Sequence, residues 1–404
     1  MLPIFKKPMR LICRSHLLLT TALISLAPLP FGADVAQAQM YLDNADPGGP
    51  GPDYQTEDGN WQSGSLIWND GTGTMGALPG DEIGVLTGSG PITLDVGGPG
   101  VGNSDVQAGG LRVDSGDFTL RYGQLLSGAT DGSLSFLVAV GSTLEMRTDV
   151  AATSNINILS TGAPNKAAGL LTFSGHTSGT LNNAGVVMYA GAHSGNVVNN
   201  NSFHHAGYIT GDLTNNFEAD PDAPGNTVTL DGDVGGTLTN YDIVTTGTTD
   251  STLGGLINAA TGAVIVGNDD TLTVSSTVAN SGAIYLDGGT LNGNVNTLAG
   301  GRINMTQNTE QATIIGNLVN AGTLQGTGEI NGDLTNSATA NFGGEVQGAL
   351  TNSGQFQTTG DLDAASLANN AGTFTVPWNA PASSSPSSSP TSGSSLKARM
   401  GGKL

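Results

Sequence analysis

The sequence predicts an all-β fold, a right-handed parallel β-helix in which the chain coils on itself and each rung bonds to the next. Three observations point there. A phrase consisting of an apolar residue, a spacer, Asn, a small residue, Gly and another apolar residue recurs from about residue 170 onward. Short strand-like runs separate its copies, each bounded by Gly, Asn or Asp. Gly 62, charged residues at 11% and aromatics at 5% exclude a helical bundle, which needs abundant Glu, Lys, Leu and Ala and little Gly. The 37% hydrophobic content with low charge density is the reverse of the combination that keeps a chain disordered.

The first element is an export signal over residues 1–38. Lys6, Lys7, Arg10 and Arg14 form a cationic start, residues 17–29 are apolar, and Ala36-Gln37-Ala38 supplies the small-x-small pattern of a cleavage site. The apolar run is too short for a membrane span. Cys13, the only cysteine, lies inside this segment, so the exported chain is expected to have no thiol and no disulfide.

Charge narrows the partners. Lys+Arg 12 stand against Asp+Glu 33, a formal charge of −21. Removing the signal takes four basic residues, and Lys397, Arg399 and Lys403 lie at the far end, leaving Arg112, Arg121, Arg147, Lys166 and Arg302 in the body. Nucleic acid and anionic membranes both bind through Lys and Arg, so neither is an expected partner.

Residues 39–376 carry the repeat. The phrase reads Leu181-Asn182-Asn183-Ala184-Gly185-Val186-Val187 and returns at Val278, Leu318 and Leu350, with weaker copies at Leu213, Leu238, Leu256, Leu334 and Leu367. Anchors at 318, 334, 350 and 367 stand 16 to 17 residues apart, the length of one supersecondary unit. Runs such as Thr227-Val228-Thr229-Leu230 and Thr271-Leu272-Thr273-Val274 are too short to cover a face alone. A wound coil lets each pair with the coil above and below, with alternate residues in one dry column. Asn and Gly suit the corners, and asparagines stacked in register can form hydrogen-bonded ladders there. Two antiparallel sandwiches, the rival architecture, require no recurring apolar-x-Asn spacing.

At the start of this body, residues 55–95 read as capping coils. Trp61, Trp68-Asn69-Asp70, Leu78-Pro79-Gly80-Asp81-Glu82-Ile83 and Pro91-Ile92-Thr93-Leu94-Asp95 stand out, with the two tryptophans placed to shield the first coil. Together with the Asn-Gly coils, this stretch resembles the passenger region of bacterial autotransporters and related β-helical, pectin-lyase-like exoproteins. The resemblance covers roughly residues 55–376. It implies a surface-displayed or secreted β-helix, often adhesive or biofilm-related. The chain departs from that family after Pro377-Trp378. Residues 381–395 are a Ser/Pro run, and 377–404 read as a disordered linker and tail with no room for a translocator barrel. A truncated passenger, or one served by a translocator encoded separately or lost, is the corresponding expectation.

Candidate chemical sites are sparse. Gly71-Thr72-Gly73-Thr74-Met75-Gly76 has the glycine pattern of a dinucleotide loop, but Pro79 and Gly80 follow where a helix is needed. His176 and His193, 17 residues apart, could stack on one face, and with His204 and His205 they could bind a transition metal or titrate near neutral pH; the plainer reading makes them solvent-facing. Asp231-Gly232-Asp233 and Asn268-Asp269-Asp270 offer calcium-type oxygens without the nonapeptide of calcium-binding β-rolls. No nucleophile elbow is present. A lyase would need clustered Arg or Lys to neutralise a uronate, whereas a glycosidase needs only paired carboxylates. The sequence therefore assigns no catalytic, cofactor-binding or metal-binding residue and expects no cofactor. It points to an exported structural or adhesin-like protein recognising a host, matrix or carbohydrate ligand through lateral strands and loops, with lateral self-association as a further expectation. A carbohydrate-active β-helix enzyme is the alternative.

Overall fold

A computed structural model of the chain describes residues 81–96, 105–160, 169–218, 225–307 and 310–376, with shorter stretches at 39–42, 59–61, 68–69, 75–76 and 78. The proposed export signal and the Ser/Pro tail lie outside the described residues. Among the described residues there is no helix. The only antiparallel pairings among the described residues are local: Trp68–Asn69 lies between Gln39–Leu42 and Met75–Gly76. Every other ladder is parallel and joins a strand to its counterpart one coil earlier or later. A sandwich would show the opposite, antiparallel strands within each sheet. The fold is a parallel β-solenoid.

Three faces wind around one core. On the first, a column of inward apolar residues runs Leu134, Ile156, Leu181, Val197, Leu213 and Leu238 and continues in register to Leu350 and Leu367. On the second, Ile92, Phe118, Leu144, Leu171, Val187 and Phe203 begin a column that ends at Phe356 and Phe374. On the third, Val106, Leu125, Val150, Thr177, His193 and Ile209 lead to Val234 and Leu253. Strand alternation decides which side each residue takes: in Leu134–Val138 the first, third and fifth residues are buried. Each buried Leu, Val or Phe contributes roughly 1.5–3 kcal/mol of transfer free energy. Trp61 pairs opposite Val96 and is itself buried, so it packs at the start of the core.

The asparagines of the repeat point inward, two residues beyond the apolar anchor. Asn183 donates from Nδ2 to Oδ1 of Asn199 at 2.8 Å, and the chain of bonds passes through Asn215, Asn240, Asn258 and Asn280 at 2.8–2.9 Å. The second Nδ2 proton goes to a main-chain carbonyl, as from Asn215 to Ile243 at 3.0 Å and from Asn258 to Ala283 at 2.9 Å. In Asn183 and Asn240 the Oδ1 also accepts the backbone N–H two residues on, from Gly185 and Asp242, which folds the corner. These side chains are fully buried yet satisfied without water, which is what makes a buried amide tolerable.

One rung breaks the ladder. Thr297 sits in register between Asn280 and Asn320, and its Oγ1 is buried with no partner. The ladder resumes from Asn320 through Asn336 and Asn352 to Asn369 at 2.7–2.8 Å.

A second corner, just before the first face, uses side-chain oxygens as acceptors for the next coil. Asn196 takes the N–H of Asp212 at 2.9 Å and Asp212 that of Thr237 at 2.8 Å. Asn294, Asn317 and Asp333 do the same for Asn317, Asp333 and Ala349. Glycine precedes each, because the backbones nearly touch there. Gly316 has φ 138°, and a Cβ on it would lie 2.6 Å from the Gly293 carbonyl oxygen.

Two substitutions test the ladder. Replacing Asn336 by Leu leaves its ladder neighbours with unmet polar groups and is expected to lower stability by about 2 kcal/mol. Thr297→Asn joins the two halves and is expected to raise it by about 1 kcal/mol. Urea unfolding followed by far-ultraviolet circular dichroism reads both, and a Thr297→Asn protein less stable than its parent would contradict a continuous ladder.

Candidate functional site

The histidines are where the structure departs most from the sequence-based reading. Coils here are 16 residues long, so Thr177, not His176, lies in register with His193. A one-residue offset puts a side chain on the opposite side of its strand. His176 is exposed, its Nε2 3.0 Å from Ser194 Oγ, while His193 is fully buried. His204 is half-buried and points outward, its Nε2 2.6 Å from Asp231 Oδ2. Its neighbour His205 points inward and is fully buried. Neither the stacked pair nor a uniformly solvent-facing set is found.

The two buried imidazoles belong to a polar cluster enclosed in the core. Tyr189 OH lies 2.5 Å from Thr177 Oγ1, and Thr177 Oγ1 lies 2.7 Å from His193 Nδ1. His193 Nε2 is 3.2 Å from the Asn196 carbonyl, which can only accept, so Nε2 carries the proton and Nδ1 accepts from the Thr177 hydroxyl. His205 Nε2 likewise donates to the Asp233 carbonyl at 3.0 Å, and its Nδ1 is buried with no partner. Rings surround the cluster. Phe203 stacks on His205 with centroids 6.0 Å apart, and Tyr189 lies 6.0 Å from the His193 ring. Phe173 and Phe136 extend the aromatic packing toward earlier coils.

Burial sets the protonation. Loss of hydration pushes both His193 and His205 below their ordinary value, against the smaller opposing effect of the carbonyls they face. Burial likewise pushes the Tyr189 phenol up. The cluster is therefore neutral and fixed, with its acceptor and donor directions set by main-chain carbonyls.

The acidic turns are occupied by their own backbone. Burial alone would raise the Asp231 carboxyl, but the amides of Thr248 and Thr249 and the His204 ring hold it below the usual carboxylate range. Asp233 accepts the N–H of Thr252 at 2.8 Å, and Asp270 accepts from Thr246 Oγ1 at 2.6 Å. Asn268 bonds Asp269 and takes the N–H of Glu310, with Asp269 itself at φ 65°. Among the described residues no group of three or more His, Cys, Asp or Glu is placed to hold a metal ion. Of the glycine run, only Met75–Gly76 is described, as a strand paired with Trp68–Asn69; residues 71–74 lie outside the described residues. Nearest to paired carboxylates is an outward column on the third face, Glu329, Glu345 and Asp363, in register on successive coils.

The buried cluster is what sequence reasoning missed. The signal was present in the alternation: Phe203 is inward, so His205, two residues on, shares its side.

Comparison with protein-family models, with curated proteins and with solved structures gave no match.

The cluster makes stability depend on pH. Above about 6.5, the ordinary histidine value, folded and unfolded imidazoles are both neutral. Below it the unfolded chain takes up protons that the buried rings refuse, so stability falls until the pH reaches the depressed folded values. The expected slope is about 1.4 kcal/mol per pH unit for each histidine. Melting temperatures measured between pH 7.5 and 5 (about the window set by that value) should drop, and His205→Leu, which matches Leu230 on the next coil, should halve the slope.

Proposed function

We propose that this chain is an exported, surface-associated or secreted solenoid that acts as a structural or adhesive rod, binding an external ligand through its lateral strands and loops without catalysis. The observation that carries the reading is the parallel stacking of successive coils, which runs with local bulges from Ile83 to the strand Thr373–Thr375 among the described residues. Such a scaffold presents long flat faces with regular spacing, the form of surface suited to extended ligands rather than to an enclosed small molecule.

A further observation supports it. The carboxylates of Asp212, Asp231, Asp233 and Asp333 are engaged in holding backbone amides of neighbouring coils, so they serve the fold rather than acid–base chemistry. The resemblance to autotransporter passengers agrees with this reading.

Export and catalysis are tested together. Expressed with its first 38 residues in a Gram-negative host, the chain should be recovered outside the cytosol with Gln39 at its N-terminus by Edman sequencing. Recovery as an intact cytosolic protein would refute export. Incubated with a panel of neutral and acidic polysaccharides, the purified protein should release no reducing ends. Release that disappears in Glu345→Gln would instead establish the glycosidase reading on the Glu329–Glu345–Asp363 column.

A further inference from the structure

We infer that the first face is a self-association surface, on which a second copy of this chain docks face to face. The argument begins with charge. The outward middle column of this face runs from Ser135 to Ala368 through twelve register steps and holds no charged residue. Its flanking outward positions add only Asp212 and Asp333, whose carboxylates already accept backbone amides. In a chain of net charge −21 this is an unusual stretch. The third face, by contrast, stacks Glu329, Glu345 and Asp363 directly outward.

Apolar side chains stand on that neutral surface, Ile257 and Val319 in its middle column and Tyr241 and Leu298 at its edge, just past the strand ends. Tyr241, Ile257, Leu298 and Val319 are 40–47% exposed and fall on five consecutive rungs. Clustered exposure of this kind marks an interaction surface rather than scattered surface residues.

The occupant follows from charge, period and area. Two copies repel through their acidic third face, whereas the first face and the later coils of the second both carry outward middle columns without carboxylates, and of these two the first carries the larger group of exposed apolar side chains. The face repeats every rung at about 4.8 Å, a spacing that side chains of a second copy match along its whole length. Twelve steps at that rise give about 60 Å, and a strand width of about 15 Å gives about 900 Å² per copy. A stable protein interface needs about 800 Å² per partner. This inference does not depend on export or on the external ligand.

Sedimentation velocity on the full chain tests it, over about 1 to 100 μM. A monomer–dimer equilibrium is expected, tightening as salt rises from about 0.1 to 0.5 M because screening reduces the net repulsion. The pair Ile257→Glu/Val319→Glu should weaken dimerisation at least about tenfold. Ile265→Glu, also an exposed site but on the second face, should leave it unchanged. All three positions are exposed, and thermal melting verifies that each variant is folded. Leu298→Glu repeats the measurement at a single site. A monomer throughout the range would assign the face to another occupant and overturn the inference. So would a dimer undiminished in the folded double and Leu298→Glu variants, or one weakened equally by Ile265→Glu.

Discussion

In-register parallel stacking is the constraint from which the rest of this structure follows. Each side chain lies about 4.8 Å from its counterpart on the next coil, so a residue type is tolerated in a column only if it can stand beside its neighbours there. Leu, Val and Phe satisfy that requirement by contact. Asparagine satisfies it by chemistry, since one amide both donates and accepts and therefore bonds a copy of itself. A carboxylate cannot do so inside the core, and stacks only on the outward side where water reaches it, as Glu329, Glu345 and Asp363 do. The low charged content of the chain and its recurring Asn are two expressions of one rule.

Two of the interior's departures from that rule differ in kind. Thr297 interrupts the ladder with a hydroxyl that has no partner, a local loss at a position whose neighbours remain bonded to main-chain groups, as Asn280 is to the Arg302 carbonyl. The cluster of Thr177, Tyr189, His193 and His205 instead replaces several apolar positions at once, closing most of its hydrogen bonds internally and leaving His205 Nδ1 open. A titratable ring inside a solenoid affects the stacking of the coils on both sides of it, because each coil packs only on its neighbours. Stability along such a chain is therefore uneven, as expected where each unit contacts only its neighbours.

The fold was largely legible in the sequence because its repeat is chemical as well as periodic. Leu181, Val278, Leu318 and Leu350, marked by the phrase that follows them, all prove to be buried anchors in one column. From Leu181 onward, two rungs escaped the pattern. At Val295 the ladder position holds Thr297 in place of Asn, and at Val197 the asparagine is followed by Asn200-Asn201 rather than a small residue and Gly. The histidine cluster was hidden for a different reason. Residue spacing of 17 suggested stacking of His176 on His193, but the coil holds 16 residues, and that single residue reverses the side. Coil length is set by corner geometry, which depends on close backbone approaches such as Gly316 on Gly293 and is only faintly written in composition.

The two polar corners show how the same constraint selects between residues of almost equal shape. Inside the ladder each side chain must accept from one coil and donate to the next, and the described rungs from Asn183 to Asn280 use asparagine without exception. At the outer corner the side chain has only to accept a backbone N–H, and there Asn196, Asp212, Asn294, Asn317 and Asp333 serve interchangeably. An aspartate at that corner meets water on one side and an amide on the other, so its charge costs little. Buried in the ladder it would oppose an Oδ1 with no proton between them. Acidic residues can therefore accumulate at corners and loops while the first face between its corners stays neutral, and that division gives an anionic chain a surface on which a like-charged copy can rest.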